Sequence, residues 1–383
     1  MNLDVERDFT TLVEQCYGLA MDPSIREPNG HQAIGYFPVY FPEEIAHAGG
    51  FIPQAILGGG NAVDVQQADA RIGSFVCSIC RSTTELGLNG TLRPVKGFFT
   101  QPICDVAKHM AGIWSRNFPE QIAQIVDIPQ NLAGKGATQY LHDEYKRLRR
   151  QVETMAGHPV TDDAIQQSLA IYNLNRRLIR ELYHVKATSP GQLSSTEAYL
   201  LIRAGTRLPK EEHNQILTQA LEMIAQRSSL AKDKPRVIFW GGFCEQPPLA
   251  MLEAIEDACA IVDDDLLIGQ RWLTEDVSQD GDPLWALADS YVNRALSSPV
   301  QHTKTTKEIF LDNKIQQAQA EAVILTAAKF CEPGLDDQWL LGKFLKHHKI
   351  PHLVLEFEEK MNSFEQMAMQ IETFTESLLF LTN

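Results

Sequence analysis

Seven cysteines stand in this chain of 383 residues: Cys16, Cys77, Cys80, Cys104, Cys244, Cys259 and Cys331. Three of them share one kind of position. Cys104 follows GFFTQPI and opens DVAKHMAGIW. Cys244 follows VIFWGGF and precedes PPLAMLEAIEDA. Cys331 follows AVILTAAKF and precedes PGLDDQWLLGKFL. Each lies at a predicted strand-to-helix turn, where free backbone N–H groups and the helix dipole favour negative charge. A thiolate there is expected to have a lowered pKa, suited to metal ligation or nucleophilic attack. The competing reading is a small core residue, since free cysteine is among the most buried types. Cys16 and Cys259 fall inside helical patterns and read as core.

Cys77 and Cys80 form a CxxC pair within RIGSFVCSICRSTTELGL. That stretch reads as helical throughout, which is not the context of a thioredoxin motif. No second CxxC or histidine pair at short spacing completes a zinc site. The long intervals between Cys77 or Cys80, Cys104 and Cys331 suit an iron–sulfur cluster assembled across domains, because soft thiolates suit iron. Three thiolates on four irons leave one iron open to substrate.

Other groups could move protons or bind ions. Helical spacing after Pro42 puts Glu43 and His47 on one face, fit for proton transfer or simply a solvated first turn. His109, five residues after Cys104, is a third candidate beside a surface histidine. Asp263, Asp264 and Asp265 end a strand and read as a solvated turn before a cation site. His347 and His348 read as an exposed helix end. Glycines 58–60 lack a GxGxxG or P-loop pattern, so no nucleotide site is assigned.

Positioning these residues calls for an α/β frame. Predicted strands Ala33 to Phe37, Phe51 to Leu57, VKGFFT and QIVDIP alternate with the helices EEIAHA and DVAKHMAGIWSRN, and residues 65–90 read as helical. Residues 137–231 carry helical periodicity alone, with Ile165, Leu169, Tyr172, Ile179 and Leu182 on one face. RVIFWGGF, AIVDDDL, AVILTAAKF and HLVLEFE then return as strands with crossover helices. The expected fold is two doubly wound parallel-sheet domains, 33–136 and 233–383, with a helical segment at 1–32 and a helical connection at 137–232.

The length suits two or three domains at about 150 residues each. A net charge of −15 argues against nucleic acid and anionic membrane as main partners. No apolar run approaches the roughly 20 residues of a membrane span, and MNLDVERDFTTLVEQ lacks the features of a secretory signal. A cytoplasmic chain with reduced cysteines is expected.

PVYFPEEIAHAGGFIP, FVCSICRSTTELGL, PICDVAKHMAGIW, GGFCEQPPLAMLEAIEDACAIVDDDLLIGQRW and AAKFCEPGLDDQWLLGKFLKHHKIPHLVLEFE, in that order, resemble segments of the 2-hydroxyacyl-CoA dehydratase and benzoyl-CoA reductase family. CSICRSTTELGL with FCEQPP looks most like the shorter cluster-binding subunit of its ATP-dependent reductases. The resemblance implies a 4Fe-4S cluster, or a linked double cubane, on Cys77, Cys104 and Cys331. Cys77 is preferred to Cys80 because Arg81 and Ser82 match the residues that follow the family's ligand, and Cys244 is a further candidate. It implies reduction of the ring of benzoyl-CoA or a related aromatic acyl-CoA to a cyclohexadiene carbonyl-CoA. Ferredoxin would donate the electrons, and the partners would be a homologous cluster-binding subunit and two ATPase subunits holding ATP. Glu43, His47 and His109 are the hypotheses for the proton donor. The alternatives are a 2-hydroxyacyl-CoA dehydratase subunit, a radical lyase, and a metal-free α/β scaffold.

Overall fold

Short runs of apolar residues bounded by Pro, Gly or polar turns set the strands, and their burial on both faces sets the parallel pairing. In the computed structural model, residues 3–60, 63–228, 234–242, 245–266, 275–358, 361 and 363–381 are described. Cys244 lies outside them.

A helix, α1 (Leu3–Met21), precedes β1 (Ala33–Phe37), α2 (Glu43–Ala48) and β2 (Ile52–Ala55). Then come α3 (Ser78–Leu88), β3 (Gly97–Thr100), α4 (Asp105–Asn117) and β4 (Ile122–Ile125). Four helices follow without a strand among the described residues: α5 (Ala137–Ala156), α6 (Asp162–Thr188), α7 (Ser195–Ala204) and α8 (Lys210–Ile224). The last part holds β5 (Arg236–Trp240), α9 (Leu249–Ala258), β6 (Ala260–Asp264), α10 (Pro283–Arg294) and α11 (Lys307–Gln317). It closes with β7 (Ala322–Ala328), α12 (Glu332–His347), β8 (His352–Phe357) and α13 (Glu365–Leu381).

The strands form two four-stranded, all-parallel sheets in the orders β2-β1-β3-β4 and β6-β5-β7-β8. The expected α/β doubly wound arrangement is present. Every residue of β1, β3 and β7 is buried, as central strands covered on both faces require. No helix among the described residues is long and apolar enough to cross a membrane.

One apolar core runs through both sheets, joining Phe98 and Phe99 to Tyr291, Ile324 and Phe357. The chain after α10 reaches back to the first sheet, where Ser298 Oγ donates to Ile103 O (2.6 Å) and Tyr40 Oη donates to Leu296 O (2.6 Å). The long helix α6 also bridges the halves. Its Arg176 pairs with Glu44 on α2, while its Tyr183 and Lys186 donate to Asp264 at the end of β6 (2.6 and 2.7 Å). Ile165, Leu169 and Leu182 of the same helix are fully buried, as their spacing predicts.

Three local expectations are corrected. Residues 65–77 are not helical apart from one 3-10 turn (Ala68–Ala70), because the buried Glu85 carboxylate accepts the N–H groups of Gln66, Gln67 and Ala68 (3.0, 2.8 and 2.8 Å). Helix α3 therefore starts at Ser78. The strand read at QIVDIP lies two residues earlier, at β4, and ends where Asp127 N turns to Glu144 (2.9 Å). Asp263, Asp264 and Asp265 are neither a solvated turn nor a cation site. Asp263 pairs with Lys314 (2.8 Å), Asp264 is buried against Lys186, and buried Asp265 accepts Gly241 N–H (2.6 Å).

Candidate functional site

The first turns of three helices face one another beyond the carboxyl ends of the two sheets, and each begins with a cysteine. Cys77 is the N-cap of α3, Cys104 of α4 and Cys331 of α12. Cys80 sits one turn into α3, its N–H donating to Cys77 O (3.2 Å). The CxxC pair is thus a helix-start motif, which its reading as mid-helix had hidden. Cys77 Sγ and Cys80 Sγ are 3.5 Å apart, and Cys104 Sγ accepts Ala107 N–H at 3.4 Å.

All four of these cysteines line one cavity of about 180 Å³. Its other walls are Phe37, Phe75, Val76, Ile79, Phe330 and the first turns of α4 and α12, with Asp105 and Glu332 as its acidic members. An apolar cavity of ~150 Å³ holds a molecule the size of benzene, so this space suits a body larger than one ion. Among the described residues, no group of three or more His, Cys, Asp or Glu side chains is arranged to hold a single metal ion.

Local backbone serves the cysteines. Phe330 adopts a left-handed conformation (φ 62°), uncommon for a bulky residue, and this aims the chain into α12. A side chain at Gly334 would meet Cys331 Sγ at 3.2 Å, so the glycine leaves room for the sulfur. The buried Glu245, from the turn before α9, accepts Ser78 Oγ–H (2.7 Å) and Ile79 N–H (3.2 Å), holding the start of α3 from the second sheet. Sequence reasoning missed Glu245. The only signal was an acid beside Cys244 in FCEQPP.

The expected lowering of thiol pKa is overturned at Cys104. Burial pushes the Cys104 thiol up to about 12, against the opposing pull of the Ala107 and Val106 N–H groups, and Cys77 and Cys331 add to the rise. Cys80 is raised well above the usual thiol range by its hydrogen bond with Cys77, by burial, and by Cys77, Cys104 and Cys331 nearby. Desolvation and mutual repulsion outweigh the helix N-termini.

Glu43, His47 and His109 do not line this cavity. Glu43 is buried, accepts Tyr36 Oη–H (2.5 Å) and pairs with Lys210 (3.0 Å), and Glu44 is buried against Arg176. The first turn of α2 is therefore a packed ionic layer, not a solvated one. His47 lies 2.9 Å from Ser168 Oγ and 3.2 Å from Glu211 at the α6–α8 face. His109 is exposed on α4, and His347 and His348 are exposed at the end of α12. A second, open groove of about 810 Å³ shares Cys104, Asp105, Glu332 and Pro333 with the thiol cavity and adds Lys108, Asp127, Tyr140 and Asp336.

Residues 38–378 match the family model described as 2-hydroxyglutaryl-CoA dehydratase, D-component. The chain belongs to this family. It is 36% identical over 350 residues to one of the subunits of benzoyl-CoA reductase from Thauera aromatica, covering 91% of each chain. It is 28% identical to lactoyl-CoA dehydratase subunit beta of Anaerotignum propionicum, over 94% of this chain and 95% of the relative. It is 27% identical to (R)-2-hydroxyglutaryl-CoA dehydratase, subunit beta, of Acidaminococcus fermentans, over 97% and 100%. Dehydratases and a reductase acting on acyl-CoA thioesters thus share this family, and all four cysteines of the cavity lie inside the matched span.

Proposed function

We propose that this chain is the iron–sulfur subunit of an ATP-dependent benzoyl-CoA reductase. One observation carries the reading: cysteines 27 and 227 residues apart in sequence, Cys77 to Cys104 and Cys104 to Cys331, line one apolar cavity in a chain 36% identical to a benzoyl-CoA reductase subunit. Cys77, Cys104 and Cys331 would hold a 4Fe-4S cluster, with Cys80 beside them. The thiols fit such a group by softness, by number, and by their spread around a molecule-sized space. When bound, it would supply single electrons at low potential.

The remaining work falls to the chain. The buried Phe37, Val76 and Ile79 exclude water on their side of the cavity, which protects a radical and keeps the local potential low. Metal binding removes the thiol protons, so cluster loading would be proton-coupled, and the raised pKa of Cys104 adds to that coupling. The groove beside Cys104 gives an acyl thioester an approach, and Asp105 and Glu332 are the ionisable groups nearest that mouth. Two electrons and two protons added to benzoyl-CoA give the cyclohexadiene carbonyl-CoA. Ferredoxin would supply the electrons, and two ATPase subunits and a homologous cluster-binding partner would complete the complex.

A second reading, a 2-hydroxyacyl-CoA dehydratase subunit, draws on the dehydratase beta subunits among the relatives. There the electron is recycled and water is eliminated. Anaerobic purification of the complex with iron and sulfide analysis, Mössbauer spectroscopy and turnover tests decides. Iron, sulfide and reductant-dependent loss of benzoyl-CoA support the reductase, and water loss from a 2-hydroxyacyl-CoA supports the lyase. A complex without iron refutes both.

A further inference from the structure

Apart from the thiol cavity, a partly open pocket of about 310 Å³ lies past the end of β2. Its walls are the glycine turn 58–60, residues 21–23 after α1, the chain leaving α7 with Arg203 and Arg207, and Gln246 before α9. The chain carries a net charge of −15, yet this lining holds two guanidinium groups and, among the described residues, one carboxylate, Asp22.

The two arginines lack the usual partners. Arg207 is buried and donates to three backbone carbonyls, Ala55 (3.0 Å), Asp22 (2.7 Å) and Ser24 (3.0 Å). Arg203 donates to Tyr199 Oη (2.6 Å), and its Nε is buried with no partner among the described residues. Neither makes an ion pair with a carboxylate among those residues. One carboxylate against two guanidiniums leaves an excess of positive charge, which is costly where it is buried, and a bound anion would offset that cost. Burial first, and then Arg203, push the Arg207 guanidinium down to about 10, against the weaker opposing pull of the Asp22 carboxylate.

Two further features narrow the ligand. Gly58 and Gly60 have positive φ (78° and 51°), so one wall has no side chains and lets a ligand approach the backbone, as oxyanion-binding turns do. Gln246 is buried, and its Oε1 has no donor among the described residues, although its Nε2 donates to Gly242 O (3.2 Å). A ligand that satisfies the whole lining therefore offers oxyanion oxygens to the guanidiniums and a hydroxyl to Gln246.

We propose that this cavity binds a phosphate monoester carried on a hydroxylated group, that is, a sugar phosphate or nucleotide. The phosphorylated ribose of a coenzyme A thioester and a free nucleotide both present that chemistry. The assignment is independent of the thiol cavity.

Isothermal titration of the full chain with AMP, coenzyme A, dephospho-coenzyme A and inorganic phosphate tests it. Saturable AMP binding is expected, weakened about tenfold or more in Arg203→Gln and in Gln246→Ala, each altering one wall. Arg203 is chosen because Arg207 ties three carbonyls and its loss could unfold the site. Tighter binding of coenzyme A than of dephospho-coenzyme A would identify the coenzyme as the source, and AMP as the tightest ligand a free nucleotide. No saturable binding of AMP or coenzyme A, the same affinity in both variants, or inorganic phosphate binding as tightly as AMP would overturn the proposal. The Cys331→Ser variant should bind AMP unchanged.

Discussion

Two buried polar regions of this molecule are built from reactive residue types and resolve them in opposite ways. On α2, each ionisable side chain has met a complement: Glu43 meets Lys210 and Tyr36, Glu44 meets Arg176, and His47 meets Ser168 and Glu211. Around the thiol cavity, like faces like, with four cysteines against apolar walls. Paired charge is locked into the fold. Four soft donors face a common space, and the raised pKa values of Cys80 and Cys104 show how poorly thiolates suit one another there.

That contrast can be broken at either end. The largest effect is expected from Cys104→Ser or Cys331→Ser. Each should cut iron per folded chain to a small fraction and lower turnover by more than about 100-fold, with the far-UV circular dichroism unchanged. Full iron and activity in either variant would place the metal elsewhere or nowhere. Glu44→Ala should do the reverse. It strands buried Arg176 and costs about 3–5 kcal/mol in urea unfolding, while iron per folded chain is preserved.

Glu245→Ala probes the link between the two regions' logic, since this buried carboxylate caps the helix start that carries Cys77 and Cys80. A loss of about 1–2 kcal/mol is expected, together with faster release of iron to a chelator. An unchanged release rate would reduce Glu245 to packing alone.

The smallest effect is a pH dependence in the helical layer. His213 is fully buried and neutral, pushed down to about 3 by burial and by Lys210, with its ring placed between Asn175 (2.8 Å) and Leu201 O (3.0 Å). A histidine depressed in the folded state takes up its proton first in the unfolded state. Its stabilising contribution is complete above 6.5 and falls as pH drops from 6.5 toward 3. At pH 5.5 the loss should be about 1.4 kcal/mol. The slope contributed by this group should vanish in His213→Asn, and chemical denaturation between pH 5 and 8 measures both.

Much of the frame was legible in the chain. The strand Ala33–Phe37 and the helices Glu43–Ala48 and Asp105–Asn117 stand where apolar runs, Pro42 and the glycine stop placed them, because local propensity and period govern such segments. Cys104 and Cys331 were legible as helix starts for the same reason. The helix start at Cys77 was not, since Glu85 draws off the backbone N–H groups of residues 66–68 from 17 to 19 positions away. The acids of α2 looked solvated because Arg176 and Lys210, more than a hundred residues on, are invisible to local pattern. Residue types and periods determined what each segment could be and which atoms could bind metal. Only the packing of the two sheets decided which of those atoms meet, because burial and partner choice depend on contacts that no short window of sequence contains.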